Sequence, residues 1–351
     1  MRVLIVAGGT GGHLFPAIRL AQELCGQGHA EVMFVTSQRG QDSDILRKKN
    51  IDFTTLCIVP LGSKNPVAIL KFLAMLAAGT IKSLYLLLKF RPEVAIGFGG
   101  YVSGPIILLA SLFRIKTVIH EQNVYPGKAN RILARFVTKI ALSFSETREY
   151  LKKFEPKIVV SGNPLRKELE GLWKEKKLFT ILVMGGSQGA HALNKLIPEA
   201  IGLMDDSKKK EFEVIHLSGH RDRDDVERSY NNKGIKNRVF SFTEDMASLY
   251  SECDFVIARA GATTVSELLH LAKPAILVPY PHGNGHQRLN AKVLEERGGA
   301  VLIEEQGLEP EKLLDAVARL MDKDLLSEMA GKLKNDSARD AAGILMKTVL
   351  G

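Results

Sequence analysis

Cysteine is scarce in this chain, with three among 351 residues. Cys25, Cys57 and Cys253 are odd in number, far apart and set in apolar surroundings, which excludes a disulfide framework or a cysteine zinc site and predicts reduced, core-type thiols. Also lacking is the basic, apolar and small-residue series of a secretory signal, because the chain opens directly on the apolar run Val3 to Ala7. A cytoplasmic location is the expectation. Acidic residues run short in the first half only. Residues 1–162 carry 21 Lys and Arg against 10 Asp and Glu, a net +11, whereas the remainder carries 27 against 29. Such a basic half meets either nucleic acid or an anionic membrane. No RNA-binding signature or aromatic-basic interleaving is present, which turns the reading away from nucleic acid.

The first apolar run breaks into Gly8-Gly9-Thr10-Gly11-Gly12-His13, followed by Phe15-Pro16. Two familiar features are missing from it. Leu14 stands where a dinucleotide fingerprint needs its third glycine, and the second strand, Glu31 to Thr36, ends without an acid to grip a ribose. No Gly-Lys-Ser/Thr follows, which excludes a phosphate-loop NTPase. What is present is a strand, a glycine turn and a proline suited to a first helical turn. Such a loop either merely turns the chain or presents bare N–H groups to an anion at the positive end of a helix.

Apolar runs alternate with helical patterns along the whole chain. Val94 to Phe98, Thr117 to His120, Thr138 to Ser143 and Ile158 to Ser161 complete the first half. Phe179 to Met184, Val214 to Leu217, Phe255 to Ala258, Ala275 to Val278 and Val301 to Ile303 build the second. This alternation predicts an α/β fold of two Rossmann-like domains whose parallel sheets face a central cleft. The charged stretch at 162–177 marks the boundary, giving domains 1–162 and 163–351, with the last helix packing back on the first. Glycine turns recur after strands at Gly97 to Pro105 and at Gly185 to Ala190, where ligands of parallel sheets bind.

One helical segment, Val67 to Phe90, is apolar on more than one face. Lys71, Lys82 and Lys89 limit its uncharged run to Phe72–Ile81, about half of what a membrane span needs. It reads either as a core helix or as a surface that dips into lipid.

Polar constellations sit at the strand ends. His120-Glu121-Gln122-Asn123 either pins its loop or supplies an acid–base or orienting pair in His120 and Glu121. Arg259-Ala260-Gly261-Ala262-Thr263-Thr264-Val265-Ser266-Glu267 opens a helix. Glu267 is then either a capping residue or a carboxylate that accepts both ribose hydroxyls behind a phosphate held on N–H groups. Asn290, in the helix after His282 to Gln287, is placed to address a sugar. Asp-x-Asp occurs at Asp42/Asp44, Asp222/Asp224 and Asp322/Asp324, all in charged, helix-like surroundings, so solvated surface rather than metal ligation is the expectation for each.

Taken together, Gly-Gly-Thr-Gly-Gly-His at 8–13, Gly-Gly-Tyr-Val-Ser-Gly-Pro at 99–105, His-Glu-Gln-Asn at 120–123, Gly-Asn-Pro-Leu-Arg at 162–166, Gly-Gly-Ser-Gln-Gly-Ala at 185–190 and Gly-Ala-Thr-Thr-Val-Ser-Glu at 261–267 resemble the MurG family of bacterial glycosyltransferases. The order holds from residue 2 to about 300. The resemblance implies the GT-B fold and an inverting, metal-independent reaction with no cofactor. N-acetylglucosamine would pass from UDP-GlcNAc to the 4-hydroxyl of the MurNAc-pentapeptide of lipid I, forming lipid II in peptidoglycan synthesis.

The implied donor site comprises Thr10, Gly11, Gly12, Asn123, Arg166, Ser187, Thr243, Ala262, Thr263, Thr264, Val265, Ser266, Glu267 and Gln287. Thr243 stands where the family often has an aliphatic residue that meets uracil by backbone. For the base that deprotonates the acceptor, His13 is preferred as a titratable group inside a glycine loop, with Glu121 or His120 competing. The implied location is peripheral, on the cytoplasmic face of the inner membrane, with its anionic surface and other cell-wall synthesis proteins as partners. A hydrolysing UDP-GlcNAc 2-epimerase shares the fold and donor, and a scaffold without turnover is the other alternative.

Overall fold

The computed structural model describes all residues except 10, 27, 29, 39, 59–64, 170–177, 187–188, 283–284 and 335–339. Its described strands form two wholly parallel sheets. The seven-stranded sheet comprises β1 (Arg2–Val6), β2 (Glu31–Ser37), β3 (Phe53–Leu56), β4 (Val94–Gly97), β5 (Lys116–Glu121), β6 (Lys139–Leu142) and β7 (Ile158–Val160), in the order β3-β2-β1-β4-β5-β6-β7. The six-stranded sheet comprises β8 (Phe179–Met184), β9 (Phe212–Leu217), β10 (Asn237–Phe240), β11 (Phe255–Ala258), β12 (Ala275–Leu277) and β13 (Ala300–Leu302), in the order β10-β9-β8-β11-β12-β13. Strand order reverses between β1 and β4 in one sheet and between β8 and β11 in the other. Those are the topological switch points at which ligands of open α/β sheets bind.

The chain divides into two units, residues 1–166 with 340–351 and residues 167–339. In the first unit, β1 shows why a continuous apolar run makes a central strand. Val3, Leu4, Ile5 and Val6 are all fully buried, and successive side chains enter opposite layers. Leu4 and Val6 join Leu86, Leu87, Phe90, Ile106 and Ala110 on one face. Val3 and Ile5 join Leu14, Leu20, Leu345 and Val349 on the other. The helix Ala341–Leu350 thus belongs to the first unit and packs on the helix Gly11–Gly26. In the second unit, Ile181 and Val183 of β8 and Phe255 and Ile257 of β11 build one core layer with Leu193, Ile197, Leu313 and Val317.

The helix over 66–90 starts at Asn65, whose side chain caps Ala68 N at 2.6 Å with Pro66 in the first turn, and stops at Arg91 in the left-handed region (φ 49°). Its inner face is narrow: Gly79, Ser83, Leu86, Leu87 and Phe90 are buried. Val67, Leu70, Leu73, Ile81, Tyr85 and Leu88 are exposed. By length and composition the helix is apolar enough to cross a membrane, and only 11% of its apolar window is buried.

The cysteine expectation holds for one residue of three. Cys253 is buried, but Cys25 and Cys57 are exposed. Apolar sequence neighbours in a helix or at a strand end face other directions, so they do not cover Cys25 in the last turn of its helix or Cys57 just after the edge strand β3.

Candidate active site

Val6 pairs in register with both Val35 and Gly97, so the loops after β1, β2 and β4 leave the sheet at one level. The glycine turns there are packed backbone against backbone. A Cβ on Gly8 would fall 2.8 Å from Ser37 N, and one on Gly100 (φ +78°) would fall 2.8 Å from Gly8 O. The loop is braced by an acid the sequence reading assigned to solvent. Asp42 is buried, and its Oδ2 accepts from Gly9 N at 3.0 Å and from Ser37 Oγ at 2.7 Å. Charged neighbours disguised it, because Asp44 and Arg47 on the same helix do face water. Thr10 lies outside the described residues. Gly11 and Gly12 begin the helix, where the first-turn N–H groups have no intrahelical acceptors.

His13 follows on that first turn, half-buried, with its ring against the second glycine turn. A Cβ on Gly99 (φ +93°) would lie 3.2 Å from its Cε1. His13 Nδ1 is 2.9 Å from Gln122 Oε1, Gln122 Nε2 is 2.8 Å from His120 Nδ1, and His120 Nε2 is 3.0 Å from Gly162 O. The structure therefore brings His13 and His120 into one hydrogen-bonded row through Gln122. His120 is fully buried, and burial, partly offset by the Gly162 carbonyl and reinforced by His13, holds its pKa down to about 4.

Glu121 is buried too, with both oxygens occupied. Oε1 accepts from Asn123 N (2.9 Å) and Nδ2 (3.3 Å), and Oε2 accepts from Gly127 N and Asn130 Nδ2, each at 2.9 Å. Such a carboxylate fixes the loop that carries Asn123. Arg166 stands with its guanidinium carbon 4.2 Å from the Phe15 ring centroid, which ties the Gly-Asn-Pro-Leu-Arg motif to the helix that carries His13. In the same motif Asn163 is buried, and both polar atoms of its side chain have no partner among the described residues.

The second unit repeats the close-packed glycine turn. A Cβ on Gly185 would fall 2.3 Å from Ala190 N, and one on Gly189 (φ +77°) would fall 2.0 Å from Ser218 O. Ser187 lies outside the described residues. After β11, the helix Ala262–His270 begins from Gly261 with no side-chain cap. Glu267 therefore sits beyond the first turn, and the capping reading fails. Its Oε2 accepts from Tyr250 OH at 2.8 Å. Val265 is buried, and Ser266 Oγ donates to Ala262 O at 2.8 Å, so these two side chains serve the fold. Thr264 is half-buried, and Thr263 Oγ1 has no partner among the described residues.

Thr243 Oγ1 accepts from Asp245 N at 3.1 Å, within the turn that starts the next helix. Gln287 Oε1 accepts from Tyr280 N at 2.9 Å. Asn290, expected to address a sugar, is instead fully buried and donates to Ala260 O at 3.2 Å, bracing the turn before Ala262 from beneath. Asp222 corrects a second surface expectation. It is buried and accepts from Asn194 Nδ2 and His191 Nδ1, each at 2.9 Å. Although burial pushes its carboxyl up, these bonds hold it below the usual carboxylate range. Tyr250 is not marked by any motif, and Gln122 stands in its motif without a role of its own; Gln122 acts through His13, 109 residues away, and Tyr250 through Glu267, 17 residues away.

Residues 3–142 match the glycosyltransferase family 28 N-terminal domain, and residues 180–344 match the glycosyltransferase family 28 C-terminal domain. The chain is 38% identical over 349 residues to the UDP-N-acetylglucosamine–N-acetylmuramyl-(pentapeptide) pyrophosphoryl-undecaprenol N-acetylglucosamine transferase of Desulfotalea psychrophila, covering 97% of this chain and 94% of that one. It is 37% identical to the protein of the same name from Geobacter sulfurreducens, covering 97% and 96%. Among solved structures it is similar to Acinetobacter baumannii MurG, with a TM-score of 0.79 at 30% identity over 100% and 99% of the two chains. A UDP-GlcNAc 2-epimerase from Neisseria meningitidis shares the fold alone, with a TM-score of 0.73 at 14% identity. With both family 28 domains, near full-length relatives and the two-sheet architecture in agreement, the chain belongs to the MurG family of GT-B glycosyltransferases.

Proposed function

We propose that this enzyme transfers N-acetylglucosamine from UDP-GlcNAc to the 4-hydroxyl of the MurNAc-pentapeptide of lipid I, with inversion, to give lipid II. The observation that carries the assignment of roles is the state of the three candidate bases. Glu121 has both oxygens occupied and His120 both ring nitrogens, whereas His13 Nε2 has no partner among the described residues. In this reading His13 Nε2 takes the proton of the acceptor hydroxyl as its oxygen bonds to the anomeric carbon. The bond from that carbon to the diphosphate breaks, and UDP departs with the electron pair. N–H groups at the start of the helix Ala262–His270 stabilise the departing charge without a metal. Glu267, oriented by Tyr250, addresses the ribose.

The decisive experiment is transfer of labelled N-acetylglucosamine from UDP-GlcNAc to a short-chain lipid I analogue. Turnover without acceptor, read as free UDP, would instead point to the epimerase chemistry. His13→Ala is expected to lower kcat by about 10²-fold or more while donor affinity stays within about twofold; normal turnover overturns the base assignment.

The same reading places the enzyme on an anionic membrane surface. Leu70, Leu73, Ile81, Tyr85 and Leu88 are exposed on the helix over 66–90 beside Lys71, Lys82 and Lys89, in a unit rich in basic residues. Apolar side chains with lysines at their margins suit the boundary between headgroups and acyl chains.

A further inference from the structure

We propose that Gln122 is a positioning residue that fixes the tautomer of His13, keeping the ring proton on Nδ1 and Nε2 as a bare lone pair. Gly162 O can only accept, so His120 Nε2, 3.0 Å away, must carry hydrogen. His120 is fully buried and its pKa is held down to about 4, so at neutral pH the ring has one proton and Nδ1 is bare. Gln122 Nε2, 2.8 Å from that nitrogen, therefore donates to it, and its second hydrogen goes to His120 O at 3.2 Å. The amide cannot be turned over, because Oε1 would then face a lone pair and a carbonyl. Oε1 must point the other way, to His13 Nδ1 at 2.9 Å. An amide oxygen only accepts, so the proton of neutral His13 lies on Nδ1.

The row is anchored at both ends. Ser161 Oγ donates to Gly162 O at 2.9 Å, and Asn130 Nδ2 donates to His120 O at 3.2 Å. At the other end Gly99, with φ +93° and no side chain, leaves room for the His13 ring, whose Cε1 would lie only 3.2 Å from an added Cβ. Gln122 thus does for His13 what a buried carboxylate does for the histidine of a hydrolase triad, but without adding a negative charge. The catalytic consequence rests on the proposed role of His13 as base; the tautomer itself does not.

The test is the long-range ¹⁵N–¹H spectrum of histidine-labelled enzyme at a pH where His13 is neutral, assigned with a His13→Gln variant. In the unchanged protein His13 should show a protonated-type Nδ1 and an unprotonated-type Nε2. The opposite pattern overturns the proposal, whether or not any variant folds. Gln122→Leu, checked for an unchanged melting temperature, should release His13 into a tautomer mixture and lower kcat by about tenfold or more, with donor KM within about twofold. A His13 spectrum unaltered by Gln122→Leu also overturns it. The two readings fail separately. Full turnover by His13→Ala removes the base and leaves the tautomer standing, whereas an inactive His13→Ala with an Nε2-protonated ring in the unchanged protein removes the tautomer and leaves His13 essential, with Nδ1 in place of Nε2 as the nitrogen able to accept the proton.

Discussion

At the scale of single residues, the site depends on side chains that are missing as much as on those present. Gly99 has φ +93°, and an added Cβ would lie 3.2 Å from His13 Cε1. Gly99→Ala should cost about 1–2 kcal/mol in backbone strain. It should also cost more than tenfold in kcat, since small displacements of a reacting group are expensive. Denaturant unfolding and steady-state transfer measured side by side separate the two effects. Glu267 tests the donor end: Glu267→Ala should raise donor KM with kcat nearly held, and Tyr250→Phe should shift KM the same way by less. Unchanged KM in both removes the ribose role. His13, His120 and Glu121 were legible as a set because each stands at the end of an apolar run. Their division of labour was not, since it depends on Gln122, Asn130 and Gly162 meeting across the fold.

At the scale of elements, nearly every strand of the two sheets could be read from the sequence, because a strand covered on both faces is a continuous apolar run. The two that could not, β3 and β10, lie at the edges of their sheets and read Phe-Thr-Thr-Leu and Asn-Arg-Val-Phe. Polar residues interrupt both, whereas the strands at the opposite edges, Ile-Val-Val in β7 and Ala-Val-Leu in β13, stay apolar and legible. The helix over 66–90 was legible as a helix but ambiguous in its partner, and the structure divides its surface. Leu86, Leu87 and Phe90 enter the core while Leu70, Leu73 and Ile81 do not. Leu70→Glu with Ile81→Glu should therefore leave the melting temperature within a few degrees and sharply reduce sedimentation with anionic vesicles. Failure of the unchanged protein to sediment with such vesicles at low salt rejects the membrane proposal.

At the scale of the whole molecule, each unit holds one buried neutral histidine among the described residues. Burial holds His120 down to about 4 in the first unit and His216 down to about 3 in the second, where its ring bonds Tyr230 OH and Asn194 Oδ1, each at 3.0 Å. In both, the unfolded chain binds the proton more readily than the folded one. Stability is thus complete above the ordinary histidine pKa of about 6.5 and drains away as pH falls through each folded pKa. For His120 the loss amounts to on the order of 3 kcal/mol between about pH 6.5 and pH 4. Thermal melts at pH 7.5 and pH 4.5 should show the fall, and His216→Asn should make the second unit's share of it smaller. A flat profile over this range would mean that these rings are hydrated in solution.

The helix Ala341–Leu350 carries a further consequence, for synthesis rather than for catalysis. Leu345 and Val349 are fully buried in the first unit, in the same layer as Val3 and Ile5, yet they follow the whole of residues 167–339 in the chain. At ribosomal rates of about 5–20 residues per second, the apolar face they cover waits on the order of ten seconds or more after β7 has emerged. During that interval the nascent first unit exposes an unfinished core, so its solubility in the cell is governed by translation speed and chaperone access, quantities that no property of the finished enzyme reports.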